Sequence, residues 1–178
     1  MTVRVLPDFP EDPGFDPRSH DLATPGEWGT LLDYLHHYRL SLVVKCAGLT
    51  PEQLATRAVP PSSLSLLGMV RHMARVEHFW FRRVMGRAEV ERIYPDDAGF
   101  GGVLPTRDCL DDGWAAWQRE VAFAEAYLAG QPSLDSLGSA FGREIPLREV
   151  LVHLIEEYAR HCGHADLLRE VIDGRTGD

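Results

Sequence analysis

The chain has 178 residues, 44% of them apolar and 25% charged, enough for one folded domain with its own core and unlike a disordered tail. Lys and Arg number 18 against 27 Asp and Glu, a net charge of −9, which lacks the basic footprint of a nucleic-acid-binding surface. No stretch approaches the roughly 18 to 20 apolar residues of a membrane span, and the opening MTVRVLPDFPEDP has no basic-then-apolar leader pattern. Cys46, Cys109 and Cys162 are odd in number, far apart and in no CxxC, which fits a reducing cytoplasm.

Residues 1–26 carry Pro7, Pro10, Pro13, Pro17 and Pro25 among acidic residues and read as an extended arm ahead of a helical domain spanning 27–178. Thr24-Pro25-Gly26-Glu27 has the form of a capping box, and Leu31, Leu35, Leu42 and Cys46 follow at helical spacing until Gly48. Thr50-Pro51-Glu52-Gln53 repeats the start signal for a short helix or turn. A second long helix is expected over 63–85, with Gly86 as its stop, then a loop over 87–105. A third helix is expected from residue 106 or 108 to 129, with Leu110, Trp114, Trp117, Val121, Ala124 and Leu128 along one side. After a loop over 131–145, Pro146 opens a fourth helix that runs to about residue 172. No alternating strand run is convincing. Four long helices in one small domain predict an all-α four-helix bundle, with linkers long enough for a crossover or a functional loop.

Eight histidines invite closer reading. On a 100° wheel His161 falls inside the apolar arc of the fourth helix, with Glu157 at its edge and His164 just beyond it. An inward carboxylate and imidazole four residues apart read either as a hydrogen-bonded pair tying two helices or as two metal ligands over one point. On the second helix, His72 and Glu77 lie within the apolar surface, whereas Arg71, Arg75, His78 and Arg82 share a face expected to be solvated. His72 alone reads as a core histidine. With Glu157 and His161 it completes a two-histidine, one-carboxylate set with an open fourth position, the pattern of catalytic rather than structural zinc sites. Of adjacent His36 and His37, at least one should be solvated; His20 sits in the arm. His153 precedes Glu157 by one turn and can support it from behind, while Cys162 points away.

Two blocks carry a resemblance. LLGMVRHMARVE, over residues 66–77, and HLIEEYARHCGHADLLRE, over residues 153–170, resemble the DinB superfamily and, more narrowly, its DUF664 branch. The resemblance covers everything after the arm. It implies a four-helix bundle holding a divalent metal through one histidine of the second helix and two residues of the last, here His72, Glu157 and His161. Glu157 stands where many members have histidine, a variant similar to that of mycothiol-dependent maleylpyruvate isomerase. His164 stands where many members have glutamine.

The resemblance implies metal-assisted thiol chemistry: a mycothiol-type S-transferase or isomerase acting on small electrophiles, and a homodimer. Such an enzyme would have a small-molecule thiol and an electrophile as partners, and neither nucleic acid nor membrane. Zinc is preferred by base rate, with nickel, cobalt, iron and manganese compatible with the same donors. His153 and His164 are candidates for orienting the ligands or handling a proton. A hydrolase, with water in place of the thiol and Glu77 or His164 as general base, and a non-catalytic metal-binding stress-response module are the alternatives.

Overall fold

The computed structural model describes residues 4–18 and 24–176; His20 lies outside them. Helix α1 (Gly26–Cys46) is followed by the short α2 (Pro51–Ala55) and by α3 (Leu66–Glu77), which continues as a π-helical stretch (His78–Met85). A 3-10 turn (Asp96–Gly99) precedes α4 (Arg107–Ala129), a hairpin of β1 (Leu137–Ala140) and β2 (Arg143–Pro146), and α5 (Leu147–Asp173). α1 packs mainly on α5 and α3 on α4, with α3 also touching α1 and α5. The all-α bundle expected from the sequence is the fold, and none of its helices is long and apolar enough to cross a membrane.

Local signals explain most helix ends. Thr50 and Gln53 form a reciprocal capping box on α2, Ser65 accepts from the Gly68 amide at 3.2 Å, and Gly174 closes α5 with φ 78°. The box expected at Thr24 does not form. Pro25 is the cap residue and offers no side-chain bond, and the Thr24 amide donates instead to Asp33 Oδ2 at 3.0 Å. The hairpin also departs from expectation. Phe141 (φ 53°) and Gly142 (φ 75°) make a two-residue turn with both residues left-handed, the geometry whose twist suits a hairpin. Its strands pair Gly138 with Ile145, both buried. A Cβ at Gly138 would stand 2.8 Å from the Val84 carbonyl oxygen, so only glycine lets the strand lie this close to the end of the π-helical stretch.

The arm lies on the body of the bundle. Leu6 is buried, Phe9 packs edge-on against Trp114, and Trp114 Nε1 and Gln118 Nε2 both donate to the Pro7 carbonyl. The Gly48 amide donates to the Pro10 carbonyl at 2.9 Å, while Arg175 donates to that of Pro13. The arm therefore touches the ends of α1 and α5 and the start of α4.

One polar network crosses the core. Arg39 of α1 is fully buried and forks onto Glu77 of α3 (Nε–Oε1 2.8 Å, Nη2–Oε2 3.0 Å), while its Nη1 reaches Glu125 of α4 at 2.6 Å. Tyr158 of α5 donates to Glu77 Oε1 at 2.8 Å and accepts from Trp117 Nε1 at 2.7 Å. Every long helix contributes to it. Such a network is costly to desolvate but far costlier to break, because removing one partner strands the others in a low-dielectric interior. We expect Arg39→Met to lower unfolding stability by about 3–5 kcal/mol in urea denaturation. Glu125→Gln, at the rim of the same network, should cost clearly less.

His36 supplies a pH dependence. Burial, then the nearby Arg39 charge, pushes its pKa from the ordinary 6.5 down to about 4, against partial opposition from Glu125 and Asp33; Arg4 acts with Arg39. Its Nδ1 is buried without a hydrogen-bond partner among the described residues. A histidine held neutral in the fold binds its proton less readily there than in the unfolded chain, so stability falls as pH drops from 6.5 toward 4. Thermal unfolding of His36→Gln should show a shallower decline than the native protein across that window.

Candidate metal centre

The site forms where α3 and α5 pass. On α5, Glu157 and His161 are one turn apart and face α3 together; on α3, His72 faces them. His72 Nε2 lies 3.7 Å from Glu157 Oε2, and His161 Nε2 lies 3.5 Å from the same oxygen. One ligand atom from each of the three fits within 4.8 Å of the other two. Tetrahedral coordination with bonds near 2.1 Å separates donor atoms by about 3.4 Å, so the trio needs little adjustment to close on an ion.

Hydrogen bonds set the donors' orientation. His72 Nδ1 donates to the Ala98 carbonyl at 2.7 Å, which leaves the Nε2 lone pair aimed at the site. That Nε2 is buried and has no hydrogen-bond partner among the described residues, an orphan that a metal would satisfy. His161 Nδ1 faces His164 Nδ1 at 3.5 Å, so its Nε2 also points inward. The imidazoles of His161 and then His72 hold the Glu157 carboxyl well below the usual carboxylate range, keeping it the anion that a cation needs. Two imidazoles and a carboxylate with these orientations fit a divalent ion of the zinc type.

The loop over residues 87–105 forms one wall. Phe100 stacks on His72 with ring centroids 4.6 Å apart and planes 18° from parallel. Gly99 (φ 97°) lies against the His72 backbone, where a Cβ would come within 2.9 Å of His72 Cα. Arg71 donates to the Gly101 carbonyl and lies over the Tyr94 ring, and Arg75 donates to the Tyr94 carbonyl. The arginine face of α3 is therefore covered rather than solvated. His78, expected on the same solvated face, is buried too: its Nε2 pairs with the Glu91 carbonyl at 2.9 Å and its Nδ1 lies 3.4 Å from Glu120. Arg82 completes that cluster through Glu120 and the Phe123 ring.

The other sequence candidates divide. His153 Nε2 lies 3.6 Å from Glu157 Oε1, the oxygen turned away from His72 and His161, and its ring packs 4.9 Å from Trp80. His164 stands behind His161, and burial lowers its pKa. Glu77 is not brought to the site. It is wholly buried in the Arg39 network, so the general-base position suggested for it is not where its carboxylate lies. Cys162 donates toward the Tyr38 carbonyl on α1, away from the ligands as expected. Phe100 and the Ala98 carbonyl were missed by sequence reasoning; an aromatic residue inside Gly99-Phe100-Gly101-Gly102 was the available signal.

A four-helix bundle with one imidazole from α3 and a carboxylate and imidazole from α5 defines a DinB-like protein. More narrowly, the chain belongs to the mycothiol S-transferase family, whose sequence model matches residues 30–174. Among solved structures, a conserved protein from Enterococcus faecalis is similar in fold, with a TM-score of 0.52 and 17% identity over 83% of this chain and 95% of that one. No curated protein matches the sequence.

The ligand assignment has a direct check. His72→Ala and His161→Ala should each remove most zinc taken up by the native protein, measured by elemental analysis after desalting, while helical circular dichroism stays largely unchanged. Glu157→Gln should weaken zinc binding at least tenfold, and Glu156→Gln, whose carboxylate pairs with Arg160 on the exposed side, should leave it nearly unaltered.

Proposed function

We propose that this protein is a divalent-metal-dependent S-transferase that joins a low-molecular-weight thiol of the mycothiol type to a small electrophile. The observation that carries the reading is the preset trio: His72 and His161 present ring nitrogens and Glu157 an anionic oxygen toward one point, in a chain of the mycothiol S-transferase family. A divalent ion there, with zinc preferred, would lower the pKa of an incoming thiol and hold it as thiolate. His72 and His161 bring no charge and Glu157 brings one negative charge, so this donor set leaves part of the ion's charge for an anionic ligand.

The protein's own residues then orient and shield. The Ala98 carbonyl fixes the His72 tautomer, His153 backs the second oxygen of Glu157, and Phe100 closes one side against water. His164, behind His161, is the group best placed to pass a proton to solvent. The chain's cysteines are poor sources of the reacting sulfur. Burial pushes Cys46 and Cys162 up to about 12, and Cys109 accepts from the Leu104 amide beside the start of α4. On the proposed reading the nucleophile is supplied from outside. Of the hydrolytic bases considered, Glu77 is committed to Arg39, which weakens the hydrolase alternative.

The test uses cobalt-substituted protein. Mycothiol should produce a sulfur-to-cobalt charge-transfer band in the near ultraviolet and raise the melting temperature with concentration, and zinc-loaded protein should speed alkylation of the thiol by a small electrophile above its rate in buffer alone. A cobalt spectrum unmoved by mycothiol, or turnover of an electrophile panel at the same rate without thiol, would overturn the reading.

A further inference from the structure

A cavity of about 220 Å³ opens beside His72, between α3 with its π-helical extension and the loop over residues 87–105. Its apolar wall is Val76, Phe79 and Trp80; its polar wall is Arg75, Arg83 and Arg92. Among the described residues no carboxylate side chain lines it; Glu89 and Glu91 line a neighbouring, more open groove that shares Phe79 and Arg83 with it. In a chain of net charge −9 this local excess of guanidinium is unusual. Several arginines elsewhere are paired with acids: Arg39 with Glu77, Arg82 with Glu120, Arg107 with Asp111 and Arg148 with Asp135. Arg83 and Arg92 have no hydrogen-bond or ion-pair partner among the described residues, and Arg75 meets only main-chain carbonyls, so its charge is not compensated.

We infer that this cavity binds the electrophile and that the electrophile carries a carboxylate. Guanidinium groups recognise carboxylates through paired N–H donors, and a cavity with low-dielectric walls focuses their field. The volume suits a body of about one ring, which Phe79 and Trp80 flank, and is too small for a sugar-bearing thiol as well. His72 lines the cavity and also belongs to the ligand trio, so a substrate anchored by its carboxylate at the arginines has its reactive carbon on the His72 side, toward the thiol. In the reaction the thiol sulfur forms a bond to that carbon, the leaving group departs with its electron pair, and the thiol proton goes to solvent.

This inference rests on the transferase reading for the substrate's role, but the binding step is separable. In calorimetric titrations of the full chain, 4-methylbenzoate should bind at least tenfold more tightly than 4-methylbenzamide, in zinc-loaded and in chelator-treated protein alike. The double variant Arg83→Gln/Arg92→Gln should bring the acid to the level of the amide while retaining zinc and helicity, and Arg57→Gln, a cation outside the cavity, should change neither. With mycothiol present, 4-(chloromethyl)benzoate should alkylate the thiol, releasing chloride, with a KM at least tenfold below that of 4-(chloromethyl)benzamide, and the double variant should erase the gap. Equal binding of acid and amide, or an acid preference that survives in the double variant, would overturn the inference; so would a preference seen only with zinc, which places the carboxylate at the ion. Acid binding that depends on the arginines without any thiol alkylation would uphold the anion site and reject the transferase reading instead.

Discussion

The buried guanidinium of Arg39 is the constraint on which the rest of the bundle depends. It cannot be hydrated where it sits, so Glu77 and Glu125 must be delivered to it, and Tyr158 must satisfy the remaining acceptor on Glu77. These demands fix how α3 and α5 slide and rotate against α1. The candidate ligands lie close by in sequence. Glu157 directly precedes Tyr158, and His72 is five residues before Glu77, so the turns that the clamp holds carry the site. On an α-helix, adjacent residues point about 100° apart. When Tyr158 turns into the core, Glu157 is carried to the edge, where it faces His72. Apolar packing tolerates sliding by fractions of a turn; a forked salt bridge does not.

The second constraint comes from the loop that covers the arginine face of α3. Arg71, His72 and Arg75 each donate to a carbonyl of this loop, and the backbone meets them by placing Asp97, Ala98 and Gly99 in left-handed conformations. Two of those residues are not glycine, so the turn costs roughly 1–2 kcal/mol per residue in backbone terms. What it gains is a carbonyl at the correct place to orient His72 and an aromatic ring stacked on the same imidazole. The π-helical continuation after Glu77 belongs to the same region. It carries Phe79, Trp80 and Arg83 alongside the site, consistent with the tendency of such wide turns to occur at functional positions.

Helices and their ligand faces were legible because each reports locally. Leu35 and Leu42 repeat at two turns, Thr50 and Gln53 cap α2, and the i, i+4 pair of Glu157 and His161 requires no tertiary information to share a face. The failures share one cause: a helical wheel tells which residues face together but not what will cover them. His78, Arg71 and Arg75 do share a face, as read, yet a loop and Glu120 cover it. Arg39 and Glu125 are charged and 86 residues apart, so nothing local distinguishes them from surface residues. The hairpin was hidden differently. Its strands have four residues each, and its turn is Phe141-Gly142 rather than the Asn-Gly that usually signals this geometry.

Electrostatics connects the core to the surface. The acid excess of the chain is not spread evenly: Glu77 and Glu125 share Arg39 inside, Glu120 pairs with Arg82 beside His78, and Asp166 pairs with Lys45. Arg83 and Arg92, which meet no acid among the described residues, line the cavity beside His72. A negative protein therefore presents a locally positive mouth at its most chemically equipped point. Donors matter in the same way. A site built from sulfur ligands would already have discharged the ion and gained little by binding one more thiolate, whereas two neutral imidazoles and one carboxylate leave charge for it to cancel. Glu157 in place of a third imidazole moderates that attraction without removing it. On the proposed reading, the balance lets a thiolate form readily and still be reactive enough to leave for carbon, because a more strongly charged site would bind the sulfur too tightly to release it.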